Sequence, residues 1–358
     1  MKLKLNCINY EMRMYIYKRN YSIYMSKVGL GLGYSPELTI HDMIEHVVEA
    51  EKKGFELAFF SETIMTIRDA ITSLSAFAVK TSRIKLGATQ ILRLRTPLVI
   101  AQTFTTLNEL SNGRAILAIG ACTESHCKKH GLPFQNPAKV LEEHAILIKK
   151  YWNEESVNFK GETIQVEGEG LTVRPKTKIP LLIAATSKTG LKIAGKVGDG
   201  VVVNATTSPE YAKNALEIVK RSAEEHGRNF KESLITGIVV AGIEDGTKEA
   251  ERALRWELAS KFEPLQVDFA VRPRLRVGEP YVSEELINKL LESYKKGGKE
   301  QLARDIPMNV IKGLTAYGTK EEVINKIEEY RKAGVEIPIV RPASSKLIKP
   351  LIEALAIK

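Results

Sequence analysis

Cysteine is scarce in this chain. Cys7, Cys122 and Cys127 are too few and odd in number for a disulfide framework, and their sparsity fits a reducing compartment. No run of about 18 uncharged apolar residues occurs, so no membrane-spanning helix is expected and the cytoplasm is the expected location. The first residues lack an apolar core followed by a small-residue cleavage site, which excludes a standard signal peptide. No G-x-G-x-x-G opens a helix after the first strand, which argues against a Rossmann domain. Outside the N-terminal stretch there is no basic motif with interleaved aromatics. The net charge of +10 is therefore weak evidence for nucleic acid, and neither a nucleic-acid nor a membrane partner is expected.

What is present is an ordinary globular composition, 44% hydrophobic and 27% charged, in 358 residues, enough to bury a substantial core. High Lys, Glu and Ile with little Gln and Cys points to a thermophile. Residues 1–26 read differently from the rest. Lys2, Lys4, Arg13, Lys18 and Arg19 face Glu11 alone, and charges interrupt every apolar stretch. They are expected to be a disordered arm or an upstream artefact, with Met25 the natural start and residues 27–358 the folded domain.

From residue 27 the pattern alternates. Short apolar runs at 27–32, 55–60, 84–88, 115–119, 181–184, 200–204, 234–241 and 336–340 predict strands. Helical periodicity follows at 35–53, 69–80, 97–110, 138–152, 189–197, 209–226, 248–260, 320–333 and 346–356. A polar stretch at 153–178 reads as a hairpin and 262–312 as a long mixed insertion. Continuously apolar strands each followed by a helix indicate a buried parallel sheet, doubly wound or closed. Eight units over about 330 residues match a (β/α)8 TIM barrel with insertions, whose chemistry sits in the loops after the strands.

Those loops hold the candidates. Ala185, Thr186, Ser187, Lys188, Thr189 and Gly190 join a strand to a helix. Small residues and a helix start make an anion site, or simply a capped helix. Glu62, after the second strand, is a candidate acid or cofactor contact, or a salt-bridge partner of Arg68 or Arg93. Cys122, His126, Cys127 and His130 invite a zinc reading, but the spacing is not a C-x-x-C pair and would strain a tetrahedral site, so no metal is expected. Arg93 and Arg95, and Arg272, Arg274 and Arg276, could meet an anionic tail or form solvated basic faces.

Residues 106–120, T-L-N-E-L-S-N-G-R-A-I-L-A-I-G, resemble the T-L-D-x-[LI]-S-x-G-R-x-x-L-G-[IV]-G signature of the bacterial luciferase-like monooxygenase superfamily. Ile84-Lys85-Leu86-Gly87, Arg95-Thr96-Pro97, Ile193-Ala194-Gly195, Gly198-Asp199-Gly200-Val201 and Lys332-Ala333-Gly334-Val335 match in order. Within it the chain looks most like the deazaflavin-dependent branch, and there like the 5,10-methylenetetrahydromethanopterin reductase family. The resemblance implies hydride transfer with coenzyme F-420. The alternatives are an FMN-dependent monooxygenase or a cofactor-binding barrel without catalysis. It implies a non-prolyl cis peptide at Thr89-Gln90 behind the cofactor ring, cofactor contacts at Thr89, Gln90, Gly120 and 185–190 with the phosphate at 187–190, and a homodimer or higher homo-oligomer acting on a small molecule. Glu62 and Asn108 are the catalytic candidates. The chain departs from the reductases at Gly31, where they carry a glutamate, at Asn108, where the motif has aspartate, and at Glu62-Thr63. These departures bear on the substrate, not on the barrel.

Overall fold

Runs of β-branched and aliphatic residues bounded by capped amphipathic stretches fold here as the alternation predicts. The computed structural model describes residues 27–32, 35–62 and 68–356. The expected N-terminal extension at 1–26, Cys7 and Thr63 lie outside the described residues. The strands are β1 (Gly29–Leu32), β2 (Leu57–Ser61), β3 (Lys85–Ile91), β4 (Ala115–Gly120), β5 (Ser156–Lys160), β6 (Gln165–Glu169), β7 (Leu181–Ala185), β8 (Gly200–Val203), β9 (Leu234–Ile243), β10 (Ala316–Gly318) and β11 (Ile337–Pro342). In space β11, β1, β2, β3, β4, β7, β8 and β9 pair in that order, all parallel, and β9 pairs back to β11. That is a closed eight-stranded barrel. β5 and β6 form the expected antiparallel hairpin. β10, three residues long, pairs with the end of β9 and was not foreseen.

The helices are α1 (Ile40–Lys52), α2 (Ala70–Lys80), α3 (Pro97–Leu110), α4 (Glu124–Lys129), α5 (Pro137–Asn153), α6 (Lys188–Val197), α7 (Pro209–Glu225), α8 (Glu249–Phe262), α9 (Pro264–Ala270), α10 (Arg272–Leu275), α11 (Glu284–Asp305), α12 (Met308–Leu314), α13 (Lys320–Lys332) and α14 (Ile348–Ala354). Their starts follow local chemistry. Thr39 and Thr319 make capping boxes with Asp42 and Glu322, and Thr96, Asn136 and Ser208 each cap a helix that opens on proline. The mixed insertion is helical, with a break in α11 where Gly297 and Gly298 leave helical geometry.

Two apolar layers result. Leu57, Phe59, Ile116, Leu182, Val202, Ile337 and Ile339 fill the barrel interior, while the larger core lies between strands and helices. Gly87 lies against the first layer: a Cβ there would stand 2.7 Å from the Phe59 ring. The expected cis peptide at Thr89-Gln90 is corrected, since there is none among the described residues. β3 stays in regular parallel register through this point, with Thr89 opposite Ala118, Gln90 opposite Ile119 and Ile91 opposite Gly120.

Arg114, from the sequence signature, acts at the N-terminal end of the barrel. Its guanidinium donates to the carbonyls of Ser111 (2.6 Å), Ile84 (2.7 Å), Ala78 (3.0 Å) and Thr81 (3.0 Å), and to the Thr81 hydroxyl (2.9 Å). One side chain thus ties the end of α2 to the starts of β3 and β4. Replacing Arg114 with Leu leaves these acceptors unpaired and is expected to cost about 3 kcal/mol, read as a lower denaturation midpoint with ligand binding intact in the folded fraction.

His144 lies on the buried face of α5, its Nδ1 donating to the Val140 carbonyl at 2.8 Å. Burial pushes its pKa from 6.5 down to about 4. The unfolded chain takes up a proton as pH falls through 6.5, and the folded chain does not until about 4. The contribution is complete above 6.5 and is lost on the way down to about 4, on the order of 3 kcal/mol. His144→Leu is expected to flatten the stability profile across that window; an unchanged profile would refute the assignment.

Candidate functional site

The barrel strands deliver their last residues to one cavity of about 550 Å³, inside the range of small-molecule sites. Ser61 ends β2 and Glu62 follows it, Thr89 and Ile91 lie on β3, Gly120 ends β4 and Ala121 follows it, Ala184 and Ala185 end β7, and Arg341 lies near the end of β11. Ile238 belongs to the cavity from β9, and α9 and α10 contribute Gln266, Phe269, Ala270 and Arg274. This is the C-terminal face, where such barrels carry chemistry.

The β7–α6 turn is built as a helix start. Ser187 is the N-cap, and its Oγ accepts from the Gly190 amide at 3.2 Å. The Tyr211 hydroxyl donates to the Thr186 carbonyl at 2.8 Å and fixes the turn from behind. Gly190's amide is taken by the cap, while the other first-turn amides have no partner within the helix and carry partial positive charge, so this is an anion site in form. Thr186, Ser187, Thr189 and Gly190 line the cavity; Lys188 is exposed and does not. Gly190 has a packing role as well, because a Cβ there would lie 2.8 Å from that of Ala185.

Glu62 lines the cavity with its oxygens engaged. Oε1 accepts from Arg95 at 2.6 Å and Oε2 from the Ile91 amide at 2.9 Å. Arg95 also reaches Asp69 (2.6 Å) and Gln90 Oε1 (2.9 Å). The partner is therefore Arg95, not Arg68 or Arg93. Arg93 adopts φ 79, donates to the Gln135 carbonyl and stacks over Phe134. Of the β3 pair, Thr89 reaches the cavity. Gln90 points the other way, as successive residues of a strand do, and is not brought to it.

Asn108 is not brought to the cavity either. It lies near the end of α3, its Nδ2 donating to Thr177 Oγ1 (2.9 Å) and its Oδ1 accepting from the Ala115 amide (3.4 Å). Ala115 begins β4 while the cavity lies at its end, so Asn108 is a brace at the opposite face and its catalytic reading is set aside. In the β4–α4 loop, burial and the adjacent Cys127 push the Cys122 thiol up to about 12, so it holds little thiolate at neutral pH.

Two site residues carry no local sequence signal. Arg341 and Lys261 both line the cavity. Arg341 donates to Glu257 at 2.7 Å, and Lys261 lies 3.4 Å from the same carboxylate. Burial alone would raise the Glu257 carboxyl; the two cations more than offset it and hold it at about 2. Arg274, from the basic run in the insertion, is buried. Its Nη1 donates to the Thr206 carbonyl (2.6 Å) and hydroxyl (2.9 Å), and its buried Nε has no acceptor among the described residues.

The residues present suit a flat cofactor with a phosphate tail. Gly120, Ala121, Ala184 and Ala185 give a wall without bulky side chains, beside the amides and hydroxyls of the α6 start. Among the described residues no helix is long and apolar enough to cross a membrane.

Comparisons with known proteins bear on the family and the fold. The family model described as luciferase-like monooxygenase matches residues 22–336. The chain is 26% identical over 313 residues to the 5,10-methylenetetrahydromethanopterin reductase of Archaeoglobus fulgidus, covering 85% of this chain and 90% of that one. It is 32% identical over 198 residues to the F-420-dependent glucose-6-phosphate dehydrogenase of Amycolatopsis mediterranei, covering 51% and 59%. The solved coenzyme F-420-dependent tetrahydromethanopterin reductase of Methanopyrus kandleri superposes with a TM-score of 0.79 at 25% identity, covering 92% and 97%. The chain belongs to the luciferase-like monooxygenase family and is an enzyme, an oxidoreductase.

Proposed function

We propose that this chain is a coenzyme F-420-dependent oxidoreductase that transfers hydride, in the manner of the reductases it resembles. The observation that carries the reading is the junction of the β7–α6 anion site with a wall of small residues at the barrel mouth. The likeness to an F-420-dependent reductase along most of its length supports the deazaflavin over FMN.

When bound, the cofactor supplies the hydride chemistry itself. The chain's part is to hold and to shield. The first-turn amides of α6 that the Ser187 cap leaves open, with the Ser187 and Thr189 hydroxyls, receive the phosphate. Gly120, Ala121, Ala184 and Ala185 let a ring lie close to the backbone. Glu62 and Arg95 lock the end of β3 under it, and Phe269 and Gln266 of α9 stand over the cavity and limit water. No side chain need act as a strong acid for this arrangement to work.

Absorbance and fluorescence titration of the purified chain tests the reading. F-420 is expected to bind saturably and FMN at least about tenfold more weakly, a difference of about 1.4 kcal/mol. The reverse order would favour the FMN-dependent monooxygenase, and binding without turnover over a broad substrate panel the non-catalytic barrel. Thr189→Glu tests the phosphate position. A carboxylate in the first turn favours the helix dipole but repels a phosphate, so melting temperature should hold while F-420 affinity falls more than about tenfold. Unchanged affinity would move the phosphate elsewhere.

A further inference from the structure

The small-residue wall of the cavity ends at Ala121, and Cys122, the next residue, leaves it. The chain then enters α4. The Thr123 carbonyl accepts the first helical bond, from the Cys127 amide at 2.9 Å, and the helix proper begins at Glu124. Thr123 is therefore the N-cap, Cys122 the residue before it, and Cys127 the fourth residue of the helix. Residues at those two positions pack together as a hydrophobic staple and fix the angle at which a chain enters its helix. At the head of α1 the same positions hold Leu38 and Met43, ordinary apolar residues of the core. At the head of α4 both are cysteines.

Both are free thiols, Cys122 9% exposed and Cys127 buried. They hydrogen-bond each other, and the Thr123 amide donates to Cys122 Sγ. The staple thus holds two sulfurs in contact, one of them at the edge of solvent. α4 has only six residues, with Glu124, Lys128 and Lys129 exposed. A helix of less than two turns opens readily, which gives a small reagent access to the pair.

We propose that Cys122 and Cys127 are a thiol–disulfide site, oxidised by a small-molecule disulfide to an intramolecular bond that fastens the head of α4 to the end of the cavity wall. Cys122, the more exposed, attacks as its thiolate. One sulfur of the small disulfide bonds to Cys122 and the other leaves as a thiol. Cys127 then displaces the bound half, and its proton goes to that leaving group. The chain gives up two electrons and two protons, and the small disulfide becomes two thiols. In a reducing compartment the pair rests as the dithiol. Burial and the adjacent Cys127 hold the Cys122 thiol up at about 12, against a smaller pull downward from the Arg93 guanidinium. Exchange is therefore slow at neutral pH and quickens as the thiolate fraction grows. The site does not depend on which cofactor the cavity holds.

Full-length Cys7→Ser protein, which keeps these two thiols alone, tests it by incubation with oxidised glutathione. Thiols titrated after unfolding are expected to fall from two to none, and the intact mass to drop by two hydrogen atoms with no glutathione retained. The oxidised form should melt several degrees higher, and dithiothreitol should reverse the change. The rate should rise about tenfold per pH unit between about pH 7 and 9. Adding Cys127→Ser should leave glutathione attached at Cys122 with no gain in melting temperature. Two thiols that survive at the alkaline end would overturn the site. So would a glutathione adduct that persists on the Cys7→Ser protein, a bond that forms only once urea has unfolded the chain, or an oxidised form that melts no higher than the reduced one.

Discussion

The ring of strands closes where Gly200 passes Leu234. A Cβ at Gly200 would stand 1.9 Å from the Leu234 carbonyl oxygen, so β8 and β9 approach only because that residue is glycine. Its neighbour Asp199 fixes the same corner. Its amide donates to the Leu181 carbonyl at 2.6 Å, its carbonyl accepts from the Leu234 amide at 2.9 Å, and its carboxylate accepts from the Leu181 amide and from Lys149. β7, β8 and β9 thus start in a common register. With that register set, Ala185, Asn204 and Ile238 arrive at one cavity; a slip of one residue would turn each to the other face. The site depends on a joint at the opposite end of the barrel.

This explains what could be read in the sequence. The motifs that carry the family resemblance are mostly pieces of that lower end and of tight packing. Arg114 gathers carbonyls beneath β3 and β4, Asn108 braces the start of β4, Gly113 takes a φ of 83, and Gly195 fits against the Val219 carbonyl of α7. All eight barrel strands and the principal helices were legible because they follow from period, caps and prolines. The phosphate turn was legible because a strand, small residues and a capped helix start are contiguous.

The remainder of the site was not, and the reason is geometric. Glu62, Lys261, Arg274 and Arg341 lie far apart along the chain and meet only once the ring is closed. Lys261 stands four residues after Glu257, and nothing local in the sequence says that this glutamate is buried. Arg95 and Arg93 were indistinguishable in the string; a positive φ at Arg93 turns one out to Phe134 and leaves the other to Glu62. Gln90 and Asn108 stood in plausible positions, yet strand alternation and the wrong end of a helix remove them. The insertion gave no clear period because it is a set of short helices broken at glycines and prolines, organised by the barrel it covers.

One wall of the cavity also gathers the local choices that do not favour stability. Thr206, β-branched and buried, sits at φ 60, a conformation costing roughly 1–2 kcal/mol for such a residue. Its strained carbonyl and hydroxyl are what hold Arg274. Arg274 is buried with an Nε that has no partner among the described residues, and Glu279 beside it has its carboxyl raised by burial. An apolar plug would remove each of these costs and would fill the cavity. Sequences agree with their folds nearly everywhere, and such conflicts concentrate where a site is kept for a ligand. Here these conflicts gather on one side of the mouth, where Arg274 lines the cavity.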